Sequence, residues 1–260
     1  MFKTRSRLRA WGIGIAGAAI LAATTPAVAL LVQPIVIRMQ TSGKQASAAI
    51  TVVNDRNRPN TVELKLSKLV VPKDGPVQLT PDNGDNFLIF PPIATIQPGK
   101  TQVFRVRWVG EPVLGEAQSY MITTGEVPIE QKGTGVQVVY AIQSLLTVSS
   151  PKMASVVSVV SAERASHTFP ASETGAAHTD PGMNVTFANT GNDVAYISDY
   201  AMRMEIPGTP WKLDVNSRNI QQYVGLGLIP PNAQRTLFVP VTDLPATGEV
   251  KFSFKHDNLG

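Results

Sequence analysis

The chain has 260 residues, 43% hydrophobic and 16% charged, which is enough for two ordinary domains with packed cores. It has no cysteine, so no disulfide holds it together, and its formal net charge of +4 comes entirely from Lys3, Arg5, Arg7 and Arg9. The remainder is neutral, with no basic stripe interleaved with aromatics, which excludes the usual electrostatic footprint of a nucleic-acid binder.

Those four cations open the chain without any acid among them. An apolar run follows over 10–23, then Thr24-Thr25-Pro26-Ala27-Val28-Ala29, with small residues at both A-x-A positions. This pattern predicts a signal peptide over 1–29, cleaved after Ala29, and a mature chain exported without membrane insertion. The run is short and glycine-rich for a membrane span. Gly12-Ile13-Gly14-Ile15-Ala16-Gly17 fits G-x-G-x-x-G but lies in this leader with no strand before it, so a dinucleotide site is not expected there.

The mature part reads as short extended segments separated by turns. Val32 to Met39 and Ala46 to Val53 are the first two, followed by turn residues from Asn54 to Asn60. Val62, Leu64 and Leu66 alternate with Glu63, Lys65 and Ser67, the signature of a half-buried strand. Pro91-Pro92 and Gln97-Pro98-Gly99-Lys100 break the pattern. Phe104, Val106 and Trp108 then alternate with Arg105 and Arg107, and Tyr120 and Ile122 continue before Glu126-Val127-Pro128. From Gly133 to Pro151 there is no charge, and 136–148 reads as one very long β-branched strand. Such a segment, left at a sheet edge, pairs with other chains unless it is buried. About seven strands in some 120 residues, with no convincing amphipathic helix, predict an immunoglobulin-like sandwich over 30–151.

The pattern restarts after Pro151-Lys152. Ala154 to Ala162 is apolar and β-branched, and Glu163 to Gly182 is polar, a long loop or a hairpin. Asn184 to Phe187 leads into Ala188-Asn189-Thr190-Gly191-Asn192, a strand running into a turn. Pro230-Pro231, Arg235 to Val239 and Val250 to Phe254 complete a second, smaller β domain over 152–260.

Little in the chain points to chemistry. His167, His178 and His256 lack ligand spacing, no Ser-His-Asp or paired-carboxylate constellation stands out, and neither a metal nor a cofactor is expected. The chain is therefore not read as an enzyme. Two rival readings are a structural fibre subunit or adhesin, and an exported carbohydrate-binding module using Trp108 or Trp211.

In order and spacing, these segments resemble the PapD-like periplasmic pilus chaperones. The likeness rests on Pro34 to Arg38, on Ser47 to Asp55 with its Asn-Asp turn, and on Pro91-Pro92 followed by Ile96-Gln97-Pro98-Gly99 and Arg105. It rests further on Glu126-Val127-Pro128 before the long strand, on Phe187 to Asn192 and on the Pro230-Pro231 turn. The resemblance implies two immunoglobulin-like sandwiches set as an L or boomerang around a cleft. It also implies a periplasmic chaperone that lends its long strand to pilus or fimbrial subunits and passes them to an outer-membrane usher. Donor-strand complementation of this kind is β-augmentation: main-chain bonds give affinity and alternate side chains fill pockets.

The apolar alternation makes Val136, Val138, Tyr140 and Ile142 the expected donated face. The family register favours the other phase, with Val139 and Ala141, and the two disagree. Arg38 matches the family arginine that binds the subunit's C-terminal carboxylate, for which a guanidinium fork is well shaped. The family's partner lysine on the long strand is Leu146 here. Arg105 and Asp243 match an interdomain ionic network, with Glu116 as the expected third member.

Overall fold

The computed structural model describes residues 30–128, 139–171 and 175–256. Its first half is a sandwich of two sheets. In one, β1 (Leu30–Gln33), β3 (Ser47–Asn54), β8 (Thr101–Trp108) and β6 (Phe87–Phe90) lie side by side in that order. The other runs β2 (Val36–Gln40), β10 (Ala141–Ser149), β9 (Gln118–Glu126), β4 (Asn60–Val70), β5 (Gln78–Pro81), with β7 (Ile93–Ile96) also on β4. Alternation builds the core as the sequence predicts. Phe104, Val106 and Trp108 point inward from β8 while Arg105 and Arg107 point out; Ile50 and Val52 join them from neighbouring β3, and Val62 and Ile122 from the facing sheet.

The first segment of the chain serves both sheets. Leu30 to Gln33 pairs with β3, and after Pro34 and Ile35 the chain crosses over so that Val36 to Gln40 pairs in parallel with β10. This switch decides how much of β10 is covered.

A second sandwich follows. β11 (Val157–Phe169), β12 (His178–Asn189) and β17 (Ala233–Pro240) form one sheet. β15 (Lys212–Val215), β14 (Tyr200–Glu205) and β18 (Lys251–His256) form the other, and β13 (Ala195–Tyr196) pairs with β16 (Leu228–Ile229). The polar stretch after Ala162 is the far end of the β11–β12 hairpin. A helix absent from the sequence-based expectation, α1 (Ser217–Val224), packs Ile220 into this core; Asn216 caps it by accepting the Asn219 N–H at 3.0 Å, and Gly225 ends it. Between the sandwiches a third apolar cluster joins Leu69, Ala117 and Leu145 to Val194, Tyr196 and Leu228. Across this seam the Ala117 N–H donates to Asn192 O at 2.9 Å and the Thr236 N–H to Lys73 O at 2.9 Å.

The same device pins a turn in each sandwich. Buried Asn54 accepts the Arg56 N–H at 3.1 Å and donates to the carbonyls of Arg58 and Ile96, both at 2.8 Å. Asn189, equally buried, accepts the Gly191 N–H at 3.0 Å and donates to the carbonyls of Asp193 at 2.7 Å and Pro230 at 3.1 Å. An asparagine mimics backbone in such turns and satisfies carbonyls that burial would otherwise orphan.

One buried ion pair sits where β9 ends. Arg56 donates to Glu126 at 2.8 and 3.2 Å, Asn60 donates to the same carboxylate at 3.1 Å, and both charged side chains are over nine-tenths buried. The Tyr140 ring covers the guanidinium at 4.8 Å. The pair thereby seats the residue just ahead of β10.

Asn54→Ala and Asn189→Ala should each lower unfolding stability by about 2–4 kcal/mol in urea titrations, since each strands several buried polar groups. Glu126→Ala should cost about 3–5 kcal/mol by the same measurement, because it leaves Arg56 buried without its partner.

Candidate functional site

The site is assembled around β10. Strand β9 pairs with it from Ala141 to Val148, but β2 covers its other edge only from Leu145 to Ser149. Residues 141–144 are therefore paired on one side alone. Two bonds fix which groups face which way: the Glu126 N–H donates to Tyr140 O at 3.1 Å, and the Leu145 N–H donates to Ile35 O at 2.8 Å. In an antiparallel ladder the direction alternates residue by residue. Even-numbered residues thus bond to β9, and the main-chain groups of Ala141 and Gln143 point to the uncovered edge. The Ser144 hydroxyl donates to Pro34 O at 3.0 Å, marking where the cover begins.

The described part of β10 has two unlike faces. Leu146 and Val148 are fully buried in the first core and Ile142 packs against it, whereas Ala141 and Gln143 are exposed and Leu145 faces the second sandwich. Ile142 belongs to the protein's own core because its phase is the one the sandwich must bury. Val136 and Val138 lie outside the described residues, and Tyr140, stacked over Arg56, is as exposed as Val139, each at 45%. Val139 and Ala141, the other phase, are open to solvent. Among the described residues β10 runs from Ala141 to Ser149, with Ala141 opposite Gly125 of β9.

Arg38 leaves the outer face of β2 toward the second sandwich. Its Nη1 and Nη2 donate to the two carboxylate oxygens of Asp199 at 2.8 and 2.9 Å, a fork-to-fork pair. The guanidinium also lies 4.2 Å from the Tyr196 ring centroid, a cation–π contact. Tyr196 is held in turn by its hydroxyl, which donates to Thr147 Oγ1 at 3.1 Å, and burial pushes its pKa up to about 12, so it stays neutral. The hydrogen bonds to Asp199 raise the already high Arg38 pKa, against partial burial. Half of the Arg38 side chain and 28% of Asp199 remain exposed, so the pair contributes at most about 1 kcal/mol to stability.

Beside the pair is a polar cavity of about 410 Å³, lined by Ser149, Lys152, Asp193 and His256 among others. A more apolar hollow of about 420 Å³ opens along the Gln143–Leu145 face, walled by Ile35, Met121 and Leu226.

The expected interdomain network takes a different form. Arg105 is exposed on β8, in the sheet that does not carry β10, and Asp243 is exposed beyond β17; no ion pair joins either residue to Glu116 among the described residues. Glu116 instead accepts from Asn232 Nδ2 at 2.7 Å across the seam. Among the described residues, Arg38–Asp199 is the ion pair that joins the two sandwiches. Leu146, at the position of the family lysine, is fully buried, while Lys152 reaches the cavity from just beyond β10. Trp108 is buried with its indole N–H donating to Glu111 O at 2.9 Å, and Trp211 packs half-buried against the second core. Tyr196, Asp199 and Lys152 escape sequence reading; Asp199 lies 161 residues from Arg38 and no local motif ties the two.

Residues 31–148 match the family model described as pili and flagellar-assembly chaperone, PapD N-terminal domain. No curated protein matches the sequence. Among solved structures, a chain of a chaperone–tip adhesin complex of CFA/I fimbriae biogenesis aligns with TM-score 0.53 and 9% identity, over 88% of this chain and 99% of that one. The class 5 fimbriae chaperone CfaA aligns with TM-score 0.53 and 10% identity, over 87% and 99%. At such identities these alignments speak for the fold, in which both sandwiches are shared. The first sandwich thus matches the PapD N-terminal domain over residues 31–148, and the two sandwiches together share the fold of the solved fimbriae chaperone.

Proposed function

We propose that this protein is a periplasmic chaperone that captures pilus or fimbrial subunits by strand addition at β10 and delivers them to an outer-membrane usher. The observation that carries the mechanism is the half-covered strand: Ala141 and Gln143 present main-chain groups at an edge where β2 stops. Unpaired edge groups of this kind are a template for another strand, which is how pilus chaperones complete their subunits. Val139 and Ala141 are the side chains offered to the subunit, in place of the Tyr140–Ile142 phase.

Arg38 supplies register. It pairs across β2 with Thr147, roughly 10 Å along the strand from Ser144 at about 3.3 Å per residue. A strand added to the open edge and ending at the switch brings its C-terminal carboxylate close to the guanidinium fork. The work is binding, with no covalent step and no cofactor. The leader is removed after Ala29, leaving buried Leu30 as the first residue of β1. Domains over 30–151 and 152–260 then flank the cleft, each with its own core.

Co-expressed with a fimbrial subunit, the chain should be recovered from periplasmic extracts with subunit bound and with an intact mass beginning at Leu30. Arg38→Ala and Ala141→Asp should each reduce the recovered subunit by about ten-fold or more, with melting temperatures close to wild type. Wild-type recovery by both variants contradicts the mechanism.

A further inference from the structure

The fork proposed to hold a subunit carboxylate already holds one. Asp199 uses both terminal nitrogens of Arg38, at 2.8 and 2.9 Å, in the arrangement a peptide C-terminus would adopt. Stacking on Tyr196 fixes the plane of the guanidinium, and the Tyr196 hydroxyl on Thr147 fixes the ring. Arg38 is thus held facing Asp199, and a second carboxylate cannot take the same two donors while Asp199 keeps them. We infer that Asp199 is a resident stand-in for the subunit's terminal carboxylate, and that capture is an exchange of one carboxylate for the other on Arg38. This rests on the reading of Arg38 as the carboxylate anchor.

Several features suit an exchange. Asp199 is 28% exposed, so once released it rehydrates at little cost, whereas a buried partner would be locked in place. The adjoining cavity, with Lys152 and Ser149 on its wall, provides room for a second carboxylate during the handover. The arrangement also sets specificity. A free carboxylate must displace Asp199 from solution, but a carboxylate carried on a strand already paired at Ala141 and Gln143 arrives at a high effective concentration. Only a ligand that satisfies the edge and the fork together displaces the resident. Because Arg38–Asp199 is the ion pair between the two sandwiches among the described residues, exchange also removes a tie across the seam. By reciprocity, whatever strengthens that tie weakens capture.

The test uses the full mature protein and a synthetic strand peptide of alternating valine and threonine, prepared as the free acid and as the C-terminal amide. Affinities are measured by fluorescence anisotropy for wild type, Asp199→Asn, Asp199→Ser and Arg38→Ala, with melting curves confirming that each variant is folded. Wild type should prefer the acid to the amide. Both Asp199 variants should bind the acid about five-fold more tightly than wild type, with amide binding unchanged, and Arg38→Ala should bind acid and amide alike. If wild type prefers the acid but neither Asp199 variant gains affinity for it, the exchange is overturned while the anchor stands. Equal binding of acid and amide by wild type, or binding of neither, overturns the anchor itself and the exchange with it.

Discussion

Everything in this protein turns on where one edge of β10 stops being covered. Main-chain N–H and C=O groups must be paired or wet, and a sheet edge is the place where that demand is left open. Here the extent of the opening is set by a crossing of the first strand, which leaves one sheet at Gln33 and joins the other at Val36. Had the chain begun pairing with β10 a few residues earlier, Ala141 and Gln143 would be bonded within the molecule and unavailable. The hydroxyl of Ser144 on Pro34 O holds the crossing against the strand it limits. Strand topology, rather than any single reactive group, is what produces the candidate activity.

The second sandwich contributes a wall and a charge. Leu145 is drawn against Val194, Tyr196 and Leu228, so the outward face of β10 changes character along its length. It is exposed at Ala141 and Gln143, apolar and shared at Leu145, and polar at Thr147, where Tyr196, Arg38 and Asp199 gather. A strand lying along this face meets main-chain donors and acceptors first and a cation last. That order is what a subunit needs if its body is to be completed and its terminus fixed in register, since a slip of one residue turns every side chain to the wrong face.

Much of the architecture was legible in the sequence because it depends on local periodicity and on turn chemistry. The alternation around Phe104 and Val106 marks a sandwich strand, and the repeated asparagine turns at Asn54 and Asn189 mark the same corner in both halves. The exposed position of Arg38 also follows from its place between the buried residues Ile37 and Met39. Which face is donated was not legible. Apolar content points to the phase of Ile142, yet Ile142, Leu146 and Val148 pack in or against the protein's own core, buried Ser144 interrupts the phase, and adjacent Leu145 and Leu146 serve two different clusters. Where a strand is buried on both faces, pattern alone cannot say which face belongs to the molecule and which to a partner. The ionic contact across the seam was hidden for another reason. It joins residues brought together only by the packing of two sandwiches, whereas Arg105 and Asp243, plausible by register, form no ion pair among the described residues. Helix α1 escaped because it is only eight residues long, so its helical spacing at Ile220, Tyr223 and Val224 spans little more than one turn.

The uncovered edge of β10 is the surface proposed to receive a subunit's strand. Amide hydrogen exchange, followed residue by residue with and without bound subunit, reads that edge directly. Capture should protect the N–H groups of Ala141 and Gln143 strongly, while those of Ile142 and Ser144, already bonded to β9, should change little. Unaltered exchange at Ala141 and Gln143 in a stable complex would contradict the account.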